Sequence, residues 1–304
     1  MLHKKTLISI VGPTAIGKTA LAIQLAQHFG TEIISADSRQ FFKEMAIGTA
    51  KPDAEELAAA KHHFIDSHSV SQLFSTGDFE VEGLKTLNGI FQNHDVAIMV
   101  GGSGLYVNAL INGLDEMPDI DLSIREKLNK QFEEEGLAAI QTQLAALDPE
   151  YFAKVDQQNP QRMIRGLEVF LSTGQKLSSM LSATKKERPF NIIKIGLNTD
   201  RAVLYDRINR RVDKMVADGL LEEVRSLTPF KQFNALNTVG YSEIFDYFDG
   251  KLSLDEAIAA IKQNTRRFAK RQLTWFRRDE EINWFEPQQG PEIIGFVENR
   301  INNK

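Results

Sequence analysis

One octapeptide constrains this chain more than any other feature: Gly12-Pro13-Thr14-Ala15-Ile16-Gly17-Lys18-Thr19. Two glycines that bracket four residues and lead into Lys and Thr form the pattern of a loop that cradles phosphate with its backbone N–H groups. The compact β-branched and aliphatic run Thr6 to Val11 precedes it, and Thr19 to Phe29 comes after with apolar residues at helical spacing. Strand, loop and helix in that order are the context the pattern needs. The glycines let the backbone wrap an anion, and the helix N-terminus adds the positive end of its dipole. Lys18 neutralises charge, and the Thr19 hydroxyl is placed to hold Mg2+.

The rest of the chain is consistent with a sheet built around that strand. Glu32 to Ala36 reads as a second strand ending at Asp37, and Val96 to Val100 as a third ending at Gly101-Gly102, with helical material between them. Strands alternating with helices imply an α/β fold, a P-loop NTPase-like parallel sheet flanked by helices, with ligands at the carboxyl ends of its strands. From Asp115 the texture changes. Met117-Pro118-Asp119 resembles a junction, and the next seventy or so residues are rich in Ala, Gln, Glu and Leu without a convincing strand. The β-branched pattern returns over Asn191 to Asn198. The expected organisation is a core of residues 1–114 and 191–304 carrying a helical insertion of residues 115–190.

Composition narrows the class. The 304 residues are 42% hydrophobic and 25% charged, which fits a globular chain rather than a disordered or fibrous one. No apolar stretch is long enough to span a membrane, and the apolar run after Met1-Leu2-His3-Lys4-Lys5 is too short for a signal peptide. Cysteine is absent, which excludes thiolate chemistry and fits a reducing compartment. A cytoplasmic monomer without membrane contact is the expectation. The net charge of −5 argues by itself against a nucleic-acid binder, but its distribution argues otherwise. Lys262, Arg266, Arg267, Lys270, Arg271, Arg277 and Arg278 form a basic island free of acids. On a helical wheel Phe268, Ala269, Gln272, Leu273, Trp275 and Phe276 fall on one side, and Arg267, Lys270, Arg271, Thr274, Arg277 and Arg278 on the other. That pattern predicts a helix docked on its aromatic face, with a basic face that is either solvated or, as the charge clustering favours, turned toward RNA phosphates.

The phosphate loop alone leaves its ligand open. A kinase or ATPase is the ordinary expectation, with Asp37 as a magnesium carboxylate or a base, yet the third strand ends in Gly101-Gly102-Ser103 rather than in an acid. His62, His63, Asp66 and His68 could be drawn as a metal cluster, but no further His or Cys completes a tetrahedral set, so a structural or channel role is expected for the histidines, and Asp66 is left unassigned.

A series of blocks in fixed order bears on the donor: GPTAIGKT (12–19), SADSRQ (35–40), IGTAKP (47–52), HHFIDSHSV (62–70), FSTGDF (74–79), VGGSGLYVNALINGL (100–114), NPQRMIRGLEVFLSTG (159–174), TVGYSE (238–243) and KRQLTWFRR (270–278). Together with the arginine-rich stretch around Arg207 and Arg211, they resemble the tRNA dimethylallyltransferases over nearly the whole chain. The resemblance implies transfer of a dimethylallyl group from its diphosphate to the exocyclic N6 amine of the adenosine 3′ to the anticodon, with Mg2+ as cofactor. An aromatic amine is a poor nucleophile, so a base against its proton helps, and Asp37 is the expected base. Residues 12–19 and Lys18 then hold the diphosphate and stabilise its departing charge. By position in the family pattern Arg211 also reaches the diphosphate, and Ser103 stands near the reacting centre where many relatives carry threonine. The resemblance also implies tRNA contacts at Asp37, Ser38, Arg39, Gln40, Ser103, Arg125, Gln161, Arg162, Met163, Ile164, Arg165, Lys270 and Arg271. Ser242 replaces the Lys or Arg of many relatives, which implies one phosphate contact fewer. An adenylate prenyltransferase and an RNA-binding P-loop ATPase are the rival activities.

Overall fold

Six parallel strands form the centre of the computed structural model, which describes residues 5–118, 120–182 and 184–303. They are β1 (Thr6–Val11), β2 (Ile33–Ser35), β3 (His62–His63), β4 (Val96–Gly101), β5 (Asn191–Leu197) and β6 (Asn283–Phe285), in the order β3-β2-β4-β1-β5-β6. A parallel sheet is covered by helices on both faces, so its central strands are apolar throughout rather than alternating. β1 obeys this: every residue is buried, with Ile8 opposite Ile98 on β4 and Ile193 on β5. Ile8 and Ile10 enter the core on one face with Leu21 and Leu25, while Leu7 and Val11 enter that on the other with Leu87 and Leu110. From β1 the chain crosses to β2 and β3 on one side, and only after the insertion reaches β5 and β6 on the other. The carboxyl end of β1 therefore sits at a topological switch point, where open α/β sheets bind ligands. The expected strands are present. The two-residue β3 and three-residue β6 were not expected, since elements so short carry no periodic signal, and short edge strands limit unwanted pairing.

The chain falls into two compact units, residues 1–113 with 187–304, and residues 114–186. The return to the first unit thus comes four residues earlier than the strand pattern indicated. Arg188 is the reason. Its guanidinium is buried, donating to Glu80 at 2.9 Å and to the carbonyls of Leu110 at 3.0 Å and Ala109 at 2.8 Å. The second unit is helical among its described residues, and Asp119 of the expected junction lies outside them. Its core joins Leu128, Ile140, Leu144, Met163, Ile164 and Leu167. The helix Pro160–Thr173 starts where Asn159 accepts from the Arg162 N–H and Pro160 occupies the first turn.

Candidate active site

The phosphate loop leaves β1 at Gly12, whose φ of 146° is hostile to any L side chain and whose missing Cβ would lie 2.6 Å from the Leu197 carbonyl oxygen. Ala15 takes a left-handed φ of 64°, and Gly17, at 105°, opens the helix Lys18–Phe29 without a side-chain cap. The first N–H groups of that helix are therefore not taken by a capping side chain and are available to an anion. Lys18 Nζ donates back to the Pro13 carbonyl at 2.8 Å. Burial lowers its pKa to about 8, with Asp37 pulling upward and Arg211 adding to the drop.

The helix Arg201–Ala217 supplies two arginines one turn apart. Arg207 donates to the Ile16 carbonyl at 3.2 Å and Arg211 to the Thr14 hydroxyl at 3.3 Å. Both grip the phosphate loop. Arg211 is expected there from the family pattern; Arg207 belongs to the same block but carries no role of its own in the sequence. Burial lowers Arg211 from its ordinary value, partly offset by Asp37, and a guanidinium stays charged at neutral pH regardless.

Asp37 comes two residues after the end of β2, behind Ala36. Its Oδ1 accepts from the Arg39 N–H at 3.0 Å, an arrangement that pins the carboxylate through one oxygen and leaves the other for chemistry. Arg39 lies close by, lowered by burial and held up by Tyr106 and Asp37. Three cations, Lys18, Arg39 and Arg211, thus feel this single acid. Ser103 comes from the end of β4. Its hydroxyl accepts from the Ser38 N–H at 3.0 Å and donates to Ser38 Oγ at 3.1 Å, so it fixes the backbone beside Asp37. Gln40 is anchored differently, donating to the Thr49 and Ala50 carbonyls at 3.3 and 3.1 Å and accepting from Ser35 Oγ. Phosphate loop, Asp37, Ser38, Arg39, Ser103 and Arg211 meet at one end of the sheet.

Thr19 Oγ1 lies in the first turn of the loop helix, half-buried, and among the described residues no group of three His, Cys, Asp or Glu could hold a metal. A lone hydroxyl beside the phosphates is what Mg2+ uses where substrate oxygens and water supply its other ligands. The histidine block has structural partners, as expected. His63 bonds Glu32 at 2.6 Å, His62 the Ala60 carbonyl at 2.8 Å, and His68 packs on Phe74. Asp66 pairs with Lys51.

Several residues expected at RNA have other duties. Met163 and Ile164, expected at tRNA, have their side chains buried in the insertion's own core, whereas Gln161 and Arg162 are exposed. Arg125 and Arg165 converge on Glu168, which is 1% exposed. Arg125 binds it through two bonds of 2.7 and 2.6 Å, and Arg165 adds a third at 3.0 Å. Both cations serve a structural purpose there, since that carboxylate alone would be costly to bury.

The basic helix, Leu254–Phe276, also departs from its wheel. Ala269, Gln272 and Phe276 dock, while Phe268 and Trp275 are 38% and 41% exposed. The docking stripe is narrower than the apolar arc, so hydrophobicity overstated what is covered. The Arg271 guanidinium lies 5.8 Å from the Phe268 ring centre, and the Trp275 indole lies against Gly104. Lys262 pairs with Asp213, and Arg266 donates to Asn209 at 2.7 Å, so the first two charges of the island bind inward. Arg267, Lys270, Arg271, Arg277 and Arg278 point outward. The wheel placed Gln272 on the docked face without giving it a role, yet it bonds both the phosphate loop and the end of β4. Ser242 turns its hydroxyl back to the Thr238 carbonyl.

A phosphate-loop motif at a switch point, with two arginines bonded to it and a carboxylate among its cations, defines a protein of the P-loop fold. The chain matches the family model described as IPP transferase over residues 40–279. It is 57% identical over 297 residues to the tRNA dimethylallyltransferase of Christiangramia forsetii, covering 97% of this chain and 98% of that one. Against the enzyme of the same name from Flavobacterium johnsoniae it is 53% identical, covering 96% and 97%. The crystal structure of the tRNA isopentenylpyrophosphate transferase of Bacillus halodurans superposes with a TM-score of 0.74 at 38% identity, covering 99% of this chain and 98% of that one. A eukaryotic dimethylallyltransferase captured acting on tRNA gives 0.81 at 26% identity, covering 99% and 80%. The chain belongs to the IPP transferase family, the tRNA dimethylallyltransferases.

Proposed function

We infer that this chain transfers the dimethylallyl group of dimethylallyl diphosphate to the N6 amine of the adenosine next to the anticodon in tRNA, releasing diphosphate. The observation that carries this inference is the position of Asp37. It is the one acid that Lys18, Arg39 and Arg211 all feel, bonded at one oxygen and tied to Ser103 through Ser38. A P-loop ATPase would be expected to place a metal-binding acid near the end of a neighbouring strand, but β4 ends at Gly101 and leads into Gly102-Ser103, so a rival RNA-stimulated ATPase is less well served.

The residues suggest the flow of electrons. As the allylic C–O bond breaks, negative charge gathers on the diphosphate, where the loop amides, Lys18 and Arg211 already stand to receive it. The N6 lone pair forms the new C–N bond, and its proton passes to the free oxygen of Asp37. The Thr19 hydroxyl is the residue that would hold Mg2+, which when bound adds further neutralisation of the leaving group. Ser103 keeps the acid's backbone in place. On the RNA side, Gln161 and Arg162 of the insertion and the outward face of the basic helix, Lys270 and Arg271 in particular, are the groups available to phosphates. An adenosine in an anticodon loop can leave its stack for about a few kcal/mol, so a loop substrate suits a recessed acid. No helix among the described residues is long and apolar enough to cross a membrane. The proposal extends to a cytoplasmic monomer, because the RNA substrate belongs to that compartment and one chain supplies the cradle, the cations and the base.

The test is to supply radiolabelled dimethylallyl diphosphate or ATP with unmodified tRNA and follow the label. Label in tRNA adenosine with release of inorganic diphosphate is expected. RNA-dependent release of phosphate from ATP without label in tRNA would replace this function with the ATPase.

A further inference from the structure

Gln272 lies on the docked face of the basic helix, 6% exposed, and uses both ends of its amide. Its Oε1 accepts from the Thr14 N–H at 2.8 Å, and its Nε2 donates to the Gly102 carbonyl at 2.9 Å. The fit is close enough that a Cβ at Gly102 would fall on the Gln272 amide nitrogen. Each anchor leads to a catalytic element. Thr14 accepts from Arg211 through its hydroxyl, and Gly102 precedes Ser103, whose hydroxyl holds Ser38 beside Asp37. On the outer face of the same helix, two residues or fewer away, are Lys270 and Arg271.

The Thr14 N–H is spent on a protein acceptor, so it is not one of the amides that meet the donor's phosphates. A carboxamide is the side chain of this length with an acceptor and a donor side by side, so no apolar or charged residue can satisfy both buried partners. We propose that Gln272 is a positioning residue of the transfer reaction, holding the phosphate loop and the Gly102-Ser103 corner at a fixed separation so that the diphosphate cradle and Asp37 face each other. This proposal rests on the prenyl-transfer function above.

Substitution at this position has a pH signature that a merely structural role lacks. In Gln272→Glu an ionised carboxylate can still accept from Thr14 but opposes the Gly102 carbonyl and adds negative charge near the donor. Protonated, it regains a hydrogen to donate. Burial raises the pKa of such a carboxyl, so the restoring form is reached in mildly acid solution. The experiment measures donor kcat/KM of Gln272→Glu and Gln272→Met relative to wild type across pH. At mildly alkaline pH both should fall by about 10²-fold, the scale of a misplaced reacting group. The Glu variant's ratio to wild type should recover as pH falls, and the Met variant's should stay flat, with tRNA affinity unchanged in both. A flat ratio for Glu, or wild-type donor kinetics for Met, would overturn the proposal.

A further measurement needs no variant. In the wild type, exchange of the Thr14 amide hydrogen should be slow with or without inorganic diphosphate, while other amides of residues 12–19 slow only when it is added. Slowing of Thr14 together with the others would show its amide going to the ligand and would also overturn the proposal. If the wild type fails to prenylate tRNA, the function fails, and this exchange measurement still decides the role of Gln272.

Discussion

The donor end of the sheet and the insertion's arginine pair use the same chemistry to opposite ends. At the donor end, Lys18 and Arg211 bond neutral groups of the loop they serve, the Pro13 carbonyl and the Thr14 hydroxyl, rather than a carboxylate. In the insertion, Arg125 and Arg165 spend themselves on Glu168, which is buried. A cation bonded to neutral groups keeps its charge for an incoming anion; one bonded to a buried carboxylate has already spent it. The difference teaches that a basic residue's role is read from what it is bonded to, not from its place in a motif.

The strongest way to break this comparison is at the acid. Asp37→Ala should lower kcat for prenyl transfer by about 10² to 10⁴-fold, the range for a lost general base, and leave tRNA affinity largely intact. Single-turnover rates with pre-bound tRNA check it, and near-normal turnover would remove Asp37 from the role of base. Next in size, Lys18→Ala and Arg211→Ala should each lower donor kcat/KM by about 10² to 10³-fold, comparable to losing one preorganised donor to a developing anion. If neither changes donor kinetics, the cations are not aimed at the diphosphate.

Lys18 also sharpens the contrast through pH. With its pKa lowered to about 8, it is a cation below that pH and increasingly neutral above it. The donor is an anion, so donor kcat/KM of the wild type should decline as pH rises through about 8, the profile of the free enzyme. Lys18→Arg should carry its charge well past that point and lose the decline. An unchanged decline in Lys18→Arg would assign the titration to another group.

At the RNA surface smaller effects are expected. Reversing charge at Lys270 and Arg271 should weaken tRNA binding without affecting donor binding, with the salt dependence shallower by about 0.7 for each phosphate of single-stranded RNA no longer neutralised. Binding curves at several salt concentrations measure this, and an unchanged slope would make the basic face a solvated surface only. Arg125→Ala should behave in the opposite way. It leaves the salt slope alone and destabilises the insertion by about 1–3 kcal/mol, because buried Glu168 loses two of its hydrogen bonds. Thermal unfolding reads that loss, and a changed salt slope without it would return Arg125 to the RNA.

Much of the site was legible because it depends on local order. A loop that must leave a buried strand and enter a helix declares itself in Thr6 to Phe29, and Asp37 was visible as the residue that ends the next strand. Periodicity also located β4 and β5. What pattern could not supply was pairing between distant segments. Arg188 reaches Glu80, Gln272 reaches Thr14 and Gly102, and Glu168 collects Arg125 and Arg165 across sequence gaps that no short-range rule sees.

By itself, then, the chain's order of residues determined where the phosphate-loop motif falls, which acid follows the next strand, and that a basic helix lies near the end of the chain. Backbone conformation and the alternation of strands and helices settle those matters within a few turns of chain. Only the tertiary structure decided which cations are spent and which remain, why Met163 and Ile164 face inward, and why Phe268 and Trp275 stay exposed. Burial and ion pairing depend on what packs from elsewhere, and a helical wheel knows its own helix but not the width of the groove it meets.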